Sequence, residues 1–208
     1  KFLTVNGLGF RGSMPPRCRP DEYRVAVFGG SSVYGWLVAD DQTLVAYLED
    51  ELRQRLGDRP VTVLNLGVEG YRFQQEVELA EMMWPALEAD LMLFVHGAND
   101  ITTVIRHGWV VDEPWGAGSR MPPLVAFADR PGILVRFRSL LKFSRTATIP
   151  LLAVLRLQAG SEGTDFAGPL APDLQTESNA MAEGWEKLAV RTQKLAEVSG
   201  ATVMTVMQ

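Results

Sequence analysis

YRVAVFGGSSVYG, residues 23–35, is the stretch that decides the reading of this chain. Its first part, Tyr23–Phe28, is short, apolar and β-branched, as a buried strand is, and Gly29-Gly30 ends it. Two serines follow where the chain has to turn. Working outward, Thr43 is placed to cap a helix running to Leu56, with Val45, Leu48, Leu52 and Leu56 on one face. Gly57-Asp58 closes that helix. Val61–Leu66 (VTVLNL) then predicts a second buried strand.

The rhythm repeats. A loop, GVEGYR (67–72), leads into a helix from about Phe73 that Pro85 is expected to end or kink. Leu91–Val95 (LMLFV) predicts a third strand. Strands alternating with helices imply right-handed crossovers and a parallel sheet covered on both faces, an α/β fold. After Asn99 the pattern breaks. Residues 107–132 carry many Gly, Pro and Trp, and two apolar segments follow at 133–144 and 148–157. An insertion of about 107–172 is expected on these grounds. The pattern returns in an amphipathic helix over Thr176–Ser199, with Met181, Trp185, Leu188, Thr192 and Leu195 on one face and Gly200 at its C-cap. A fourth strand, Ala201–Met207, closes the chain. The organisation predicted is an extended N-terminal segment, 1–22, and one domain, 23–208.

The bulk numbers exclude several functions. A net charge of −5 offers no basic footprint for nucleic acid. No apolar run reaches the length of a membrane span. Cys18, the single cysteine, allows no internal disulfide framework and no thiolate cluster. No His/Asp/Glu set has metal-ligand spacing, so no metal and no cofactor are expected. The chain opens at Lys1 without an initiator Met and stops at Gln208 directly after a strand. Both ends read as cut. Membrane association is expected only through a segment removed before Lys1, and the compartment, cytoplasmic or periplasmic and extracellular, stays open.

In an open parallel sheet, ligands bind outside the carboxyl ends of the strands. The loops after the three predicted strands are GGSSVYG (29–35), GVEG (67–70) and HGAND (96–100). Together they offer a hydroxyl, free backbone N–H groups and a carboxamide. That is a set of parts for acyl transfer: a serine on a tight strand-to-helix turn and donors for the developing oxyanion. Singly, each has a plain structural reading. GGSSVYG serves as a tight turn, GVEG as a βα turn, and GAND as a helix N-cap. The first lacks the lysine of a P-loop and the GxGxxG spacing of a dinucleotide site.

The ordered trio resembles the SGNH (GDSL-like) hydrolases. Their GDSxxxG block matches Gly29-Gly30-Ser31-Ser32-Val33-Tyr34-Gly35, with Gly30 replacing the usual Asp. Their second block, a glycine after the second strand, matches Gly70, and their GxND block matches Gly97-Ala98-Asn99-Asp100. NGLGFRG (6–12) is similar to the segment preceding the first block in some bacterial members. The resemblance covers about residues 6–106 and the 176–208 helix and strand. It implies a three-layer flavodoxin-like fold whose C-terminal strand and helix are missing here. It further implies Ser31 as nucleophile, and Ser31, Gly70 and Asn99 as the oxyanion hole. The family's Asp at position 30 is not the proton acceptor, so that departure leaves the chemistry intact. Alignment on Gly35 favours Ser31 over Ser32.

A serine hydroxyl needs an adjacent base. The family's base is a histidine in a DxxH segment beyond a fifth strand, and this chain contains no DxxH. His96 and His107 are its two histidines, and both are expected to be structural or solvated. The natural protein is expected to continue past Gln208 to the missing Asp and His. The activity implied is ester hydrolysis through an acyl-serine, on a small-molecule or carbohydrate ester such as an O-acetyl group. An acyltransferase on the same fold and a non-catalytic binding module that lost the triad remain alternatives. Trp109, Trp115, Met121 and Phe127 suit either a lid over the site or anchors of a long loop. Arg136, Arg138, Lys142 and Arg145 read as a solvated helix face, with an anionic surface as the minor alternative.

Overall fold

The computed structural model describes residues 3–13, 17–107 and 173–208, the side chains of Arg106 and His107 excepted. The expected insertion, its aromatic residues, its basic run and the His107 side chain therefore lie outside the described residues. All described residues belong to one compact unit, Lys1–Gly118 with Leu170–Gln208.

Four strands form one parallel sheet: β1 (Tyr23–Gly29), β2 (Val61–Gly67), β3 (Leu91–His96) and β4 (Thr202–Met207), in the order β2-β1-β3-β4. The helices between them are α1 (Ser31–Tyr34), α2 (Leu44–Leu56), α3 (Phe73–Leu87), α4 (Ala98–His107) and α5 (Leu174–Ser199). This is the expected α/β fold with helices on both faces. β1 is buried throughout from Arg24 onward, which is why it reads as a continuous apolar run rather than an alternating one.

Alternate residues serve the two faces. Val25, Val27, Val61, Val63 and Val95 pack with Val33 of α1 and Val45 of α2, and Leu48 and Leu52 lean on the same cluster. On the opposite face Phe28 stacks on Phe94, and Phe73 of α3 meets Phe94 edge-on. Thr43 caps α2 as expected, its hydroxyl accepting from the Ala46 N–H at 3.1 Å.

Two helices differ from expectation. α3 carries Pro85 inside its last turn and ends just beyond it, at Leu87, where Glu88 takes a left-handed backbone. The proline removes a donor but sits too close to the helix end to stop the chain earlier. α5 starts before Thr176, because the Asp173 side chain accepts from the Thr176 N–H at 3.2 Å and caps the helix there. Its buried residues are Gly184, Leu188, Thr192 and Leu195. The face is thus turned slightly from the expected one, and Trp185 sits at its half-buried margin. Among the described residues, no helix is long and apolar enough to cross a membrane.

The register brings the loops together. Gly29 pairs with Gly67 on one side and Val95 on the other, so β1, β2 and β3 end at one level. Chain order reverses about β1, and the crevice between the ends of β1 and β3 is the switch point where such sheets bind ligands.

Candidate active site

Ser31 opens α1, a single helical turn at the end of β1. The Tyr34 N–H donates to the Gly30 carbonyl at 3.0 Å, and the Gly35 and Trp36 N–H groups donate to the Ser31 carbonyl at 2.9 and 3.2 Å. The fully buried Val33 draws this turn down onto the sheet. Gly67 allows the approach, since a β-carbon there would collide with the Tyr34 amide. Asn65 locks it. Its carboxamide donates to the Val33 carbonyl at 2.8 Å and accepts from the Gly67 N–H at 3.0 Å. Ser31 is half-buried, whereas Ser32 is exposed.

A second clamp comes from the N-terminal segment, where Val5 and Arg11 form an antiparallel bridge. The buried Arg11 guanidinium donates to the carbonyls of Tyr34 (3.0 Å), Gly35 and Val38 (2.6 Å), and to Asp40 at 3.0 Å. Asp40 has its pKa lowered. Burial pushes it up, but the hydrogen bonds from Thr4 and from the Arg11 guanidinium beside it outweigh that.

Asn99, in the first turn of α4, reaches back across the switch point. Its Nδ2 donates to the Tyr71 carbonyl at 2.8 Å, next to Gly70. The same nitrogen lies so close to Gly30 that a β-carbon there would collide with it. The Asn99 carboxamide is therefore wedged between the turn carrying Ser31 and the loop carrying Gly70. Asn99 thus lies beside Gly30, which precedes Ser31, and beside Tyr71, which follows Gly70. Neither the Ser31 hydroxyl nor the N–H groups of Ser31 and Gly70 have a hydrogen-bond partner among the described residues.

Asp100 secures the loop from below. Fully buried, it accepts the Phe73 N–H on both oxygens, at 3.1 and 3.3 Å. Burial raises its pKa, against the opposing effect of that N–H, of the Trp185 indole that faces it, and of Arg72. Glu76, one turn into α3 and 1% exposed, has no partner for either carboxyl oxygen. Its pKa lies well above the usual range, chiefly because it is desolvated and secondly because Asp100 is near. His96 stacks on Phe73 at 3.8 Å between ring centroids and meets Trp185 edge-on at 5.3 Å. Burial lowers its pKa to about 4, and its Nδ1 has no partner. It is a neutral packing group at neutral pH, and it makes no hydrogen bond to Ser31.

Sequence reading missed Asn65, Arg11 and Glu76 as parts of the site's support. The signal for Asn65 was present as one carboxamide inside an apolar strand, VTVLNL. Arg11 lies inside NGLGFRG and Glu76 in no motif, and what makes both notable is burial. A cavity of about 330 Å³ lies along β2, bordered by Phe10, Arg11, Glu49, Val63 and Asn65. None of Ser31, Gly70 and Asn99 lines it. Among the described residues no three His, Cys, Asp or Glu side chains are grouped to hold a metal.

No family model matches this chain, and no curated protein matches it. Several solved structures do. AlinE4, an SGNH-hydrolase family esterase, is 15% identical over 90% of this chain and 77% of its own, with a TM-score of 0.38. A two-domain esterase active on acetylated mannans is 23% identical over 39% of this chain, with a TM-score of 0.37. TesA is 19% identical over 38% of this chain, with a TM-score of 0.35. The chain spans 42% of TesA and 23% of the two-domain esterase. The likeness is distant in every case.

Proposed function

We propose that this protein is a serine-dependent ester hydrolase of the SGNH type. The observation that carries the reading is the wedge made by Asn99. One carboxamide touches both the turn bearing Ser31 and the loop bearing Gly70, on the crevice where the fold binds ligands. The substrate is a small-molecule or carbohydrate ester.

In this reading the Ser31 hydroxyl attacks the ester carbonyl and its proton passes to an imidazole. The carbonyl oxygen becomes an oxyanion, held by the N–H groups of Ser31 and Gly70 and by the free N–H of the Asn99 carboxamide. Collapse breaks the bond to the alcohol, which leaves with the proton from the imidazole, and an acyl-serine remains. Water, deprotonated by the same imidazole, releases the acid and restores Ser31. The imidazole is the group the resemblance places in a DxxH segment, which residues 1–208 do not contain.

Release of p-nitrophenol from its acetate by the full-length protein tests this reading. Ser31→Ala is expected to abolish turnover, and Asn99→Ala to lower kcat by about 10²–10³. Equal rates for wild type and Ser31→Ala would falsify the assignment, and a loss confined to Ser32→Ala would move the nucleophile one residue on. A full-length protein that binds ester without turning it over would instead be a binding module on the same fold.

A further inference from the structure

Immediately after α1 the chain does something unusual. Leu37 has a φ of +66°, a left-handed backbone that costs a non-glycine residue free energy, and the residue is 79% exposed. No burial offsets the strain. Trp36 beside it is 51% exposed, and its ring leans against Tyr34 with centroids 6.2 Å apart. Two large apolar side chains thus stand in water on a strained loop. Strain of this kind persists where the surroundings over-determine it. Here they do: the Arg11 guanidinium grips the loop on both sides of the pair, through Tyr34 and Gly35 before it and Val38 and Asp40 after it. The loop is built, not slack.

Its position gives it a use. The Trp36 N–H donates to the Ser31 carbonyl at 3.2 Å, so the pair begins about one helical turn, ~5 Å, from the Ser31 residue. We propose that Trp36 and Leu37 form a platform for an apolar acyl chain longer than acetyl, held in place by Arg11. The inference rests on the hydrolase reading above and names the acyl class that site takes. An acetyl group is too short to reach the platform, whereas a medium-length chain covers apolar surface on both residues. Water released from those surfaces favours the longer chain.

The test separates this proposal from the hydrolase reading by measuring binding without turnover. Octanoate and acetate are titrated calorimetrically into full-length Ser31→Ala, with and without Trp36→Ala and Leu37→Gly. Octanoate is expected to bind Ser31→Ala more tightly than acetate does. Each added substitution is expected to weaken octanoate about tenfold, the scale of one well-covered apolar side chain. Leu37→Gly also relieves the left-handed strain, so its Tm should equal or exceed that of its parent, which separates lost contact from lost fold. In the active protein, Trp36→Ala should lower the octanoate-to-acetate ratio of kcat/KM by a similar factor. Octanoate binding that is absent, or unchanged by both substitutions, overturns the platform, as does a preference for a sugar ring lost with Trp36. Failure of Ser31→Ala to abolish turnover overturns the hydrolase reading and leaves the binding result standing by itself.

Discussion

The two faces of one sheet are built from the same strands and have opposite characters. Toward α2, the odd-numbered residues of β1 meet a layer of valines and leucines. Toward α3 and α5, the next residues along meet phenylalanines together with Glu76, Asp100, His96 and Trp185. The first face has nothing to titrate in its buried cluster. The second holds carboxyls with raised pKa values beside an imidazole with a lowered one. The polar groups of the second face lie beside Asn99 and the Gly70 loop, while Asn65 and Arg11 grip the serine turn from the side of the valine layer, so both halves of the core position the site. Buried polar groups are costly unless satisfied, and the Glu76 carboxyl and the His96 Nδ1 are not.

The largest break in this comparison is expected from Phe94→Ala. It removes a fully buried ring packed on Phe28 and Phe73 and should cost about 3–5 kcal/mol in urea unfolding, against about 2 kcal/mol for Val27→Ala on the valine face. Similar losses from the two would show that the faces are packed alike.

Acid comes next. His96 is depressed to about 4, so between that value and the unfolded value of about 6.5 the unfolded chain binds a proton that the folded one refuses. Stability is full above about 6.5 and falls as pH drops through that window, by up to about 3 kcal/mol. His96→Phe should flatten this limb of a stability-against-pH curve, and an unchanged slope would remove His96 as its cause. The carboxyls act in the opposite sense. Their folded pKa values are raised, so what they contribute is complete below the unfolded carboxyl range and is lost as pH rises through the folded values. Glu76→Gln should make the fall of stability with rising pH above the unfolded carboxyl range shallower, and should steepen the rise through the His96 window, where the two groups act in opposite senses. The smallest effect is expected at the surface between α3 and α5, where Arg191 donates to Glu81 at 2.9 Å. Arg191→Ala should cost less than about 1 kcal/mol, because exposed ion pairs are screened and floppy.

Gly30 sharpens the picture at the site itself. Read from sequence, a glycine in place of the family's Asp is a harmless departure. In the structure its missing β-carbon is the space the Asn99 carboxamide occupies. Gly30→Ala is therefore expected to displace Asn99 and to reduce kcat toward the Asn99→Ala level, with the fold intact by circular dichroism.

Much of the fold was legible because it depends on local pattern. Tyr23–Phe28, Val61–Leu66 and Leu91–Val95 declared themselves as strands by length and branching, and Thr43 declared the start of α2. The boundaries that slipped, at Pro85 and at the start of α5, depended on a capping side chain or on how near a proline lies to a helix end. The loops bearing Ser31, Gly70 and Asn99 could be grouped from sequence, since a parallel sheet gathers the ends of its strands. What held them could not.

By itself, then, the sequence determined a parallel α/β sheet and the three loops at its carboxyl edge, because side-chain periodicity and turn chemistry act over a few residues. Tertiary structure alone decided that Asn65 and Arg11 grip the serine turn, that Asn99 fills the room Gly30 leaves, and that Glu76 and His96 are buried without partners. Burial and hydrogen-bond partnership join residues far apart in the chain, and such pairings leave no mark on the local pattern.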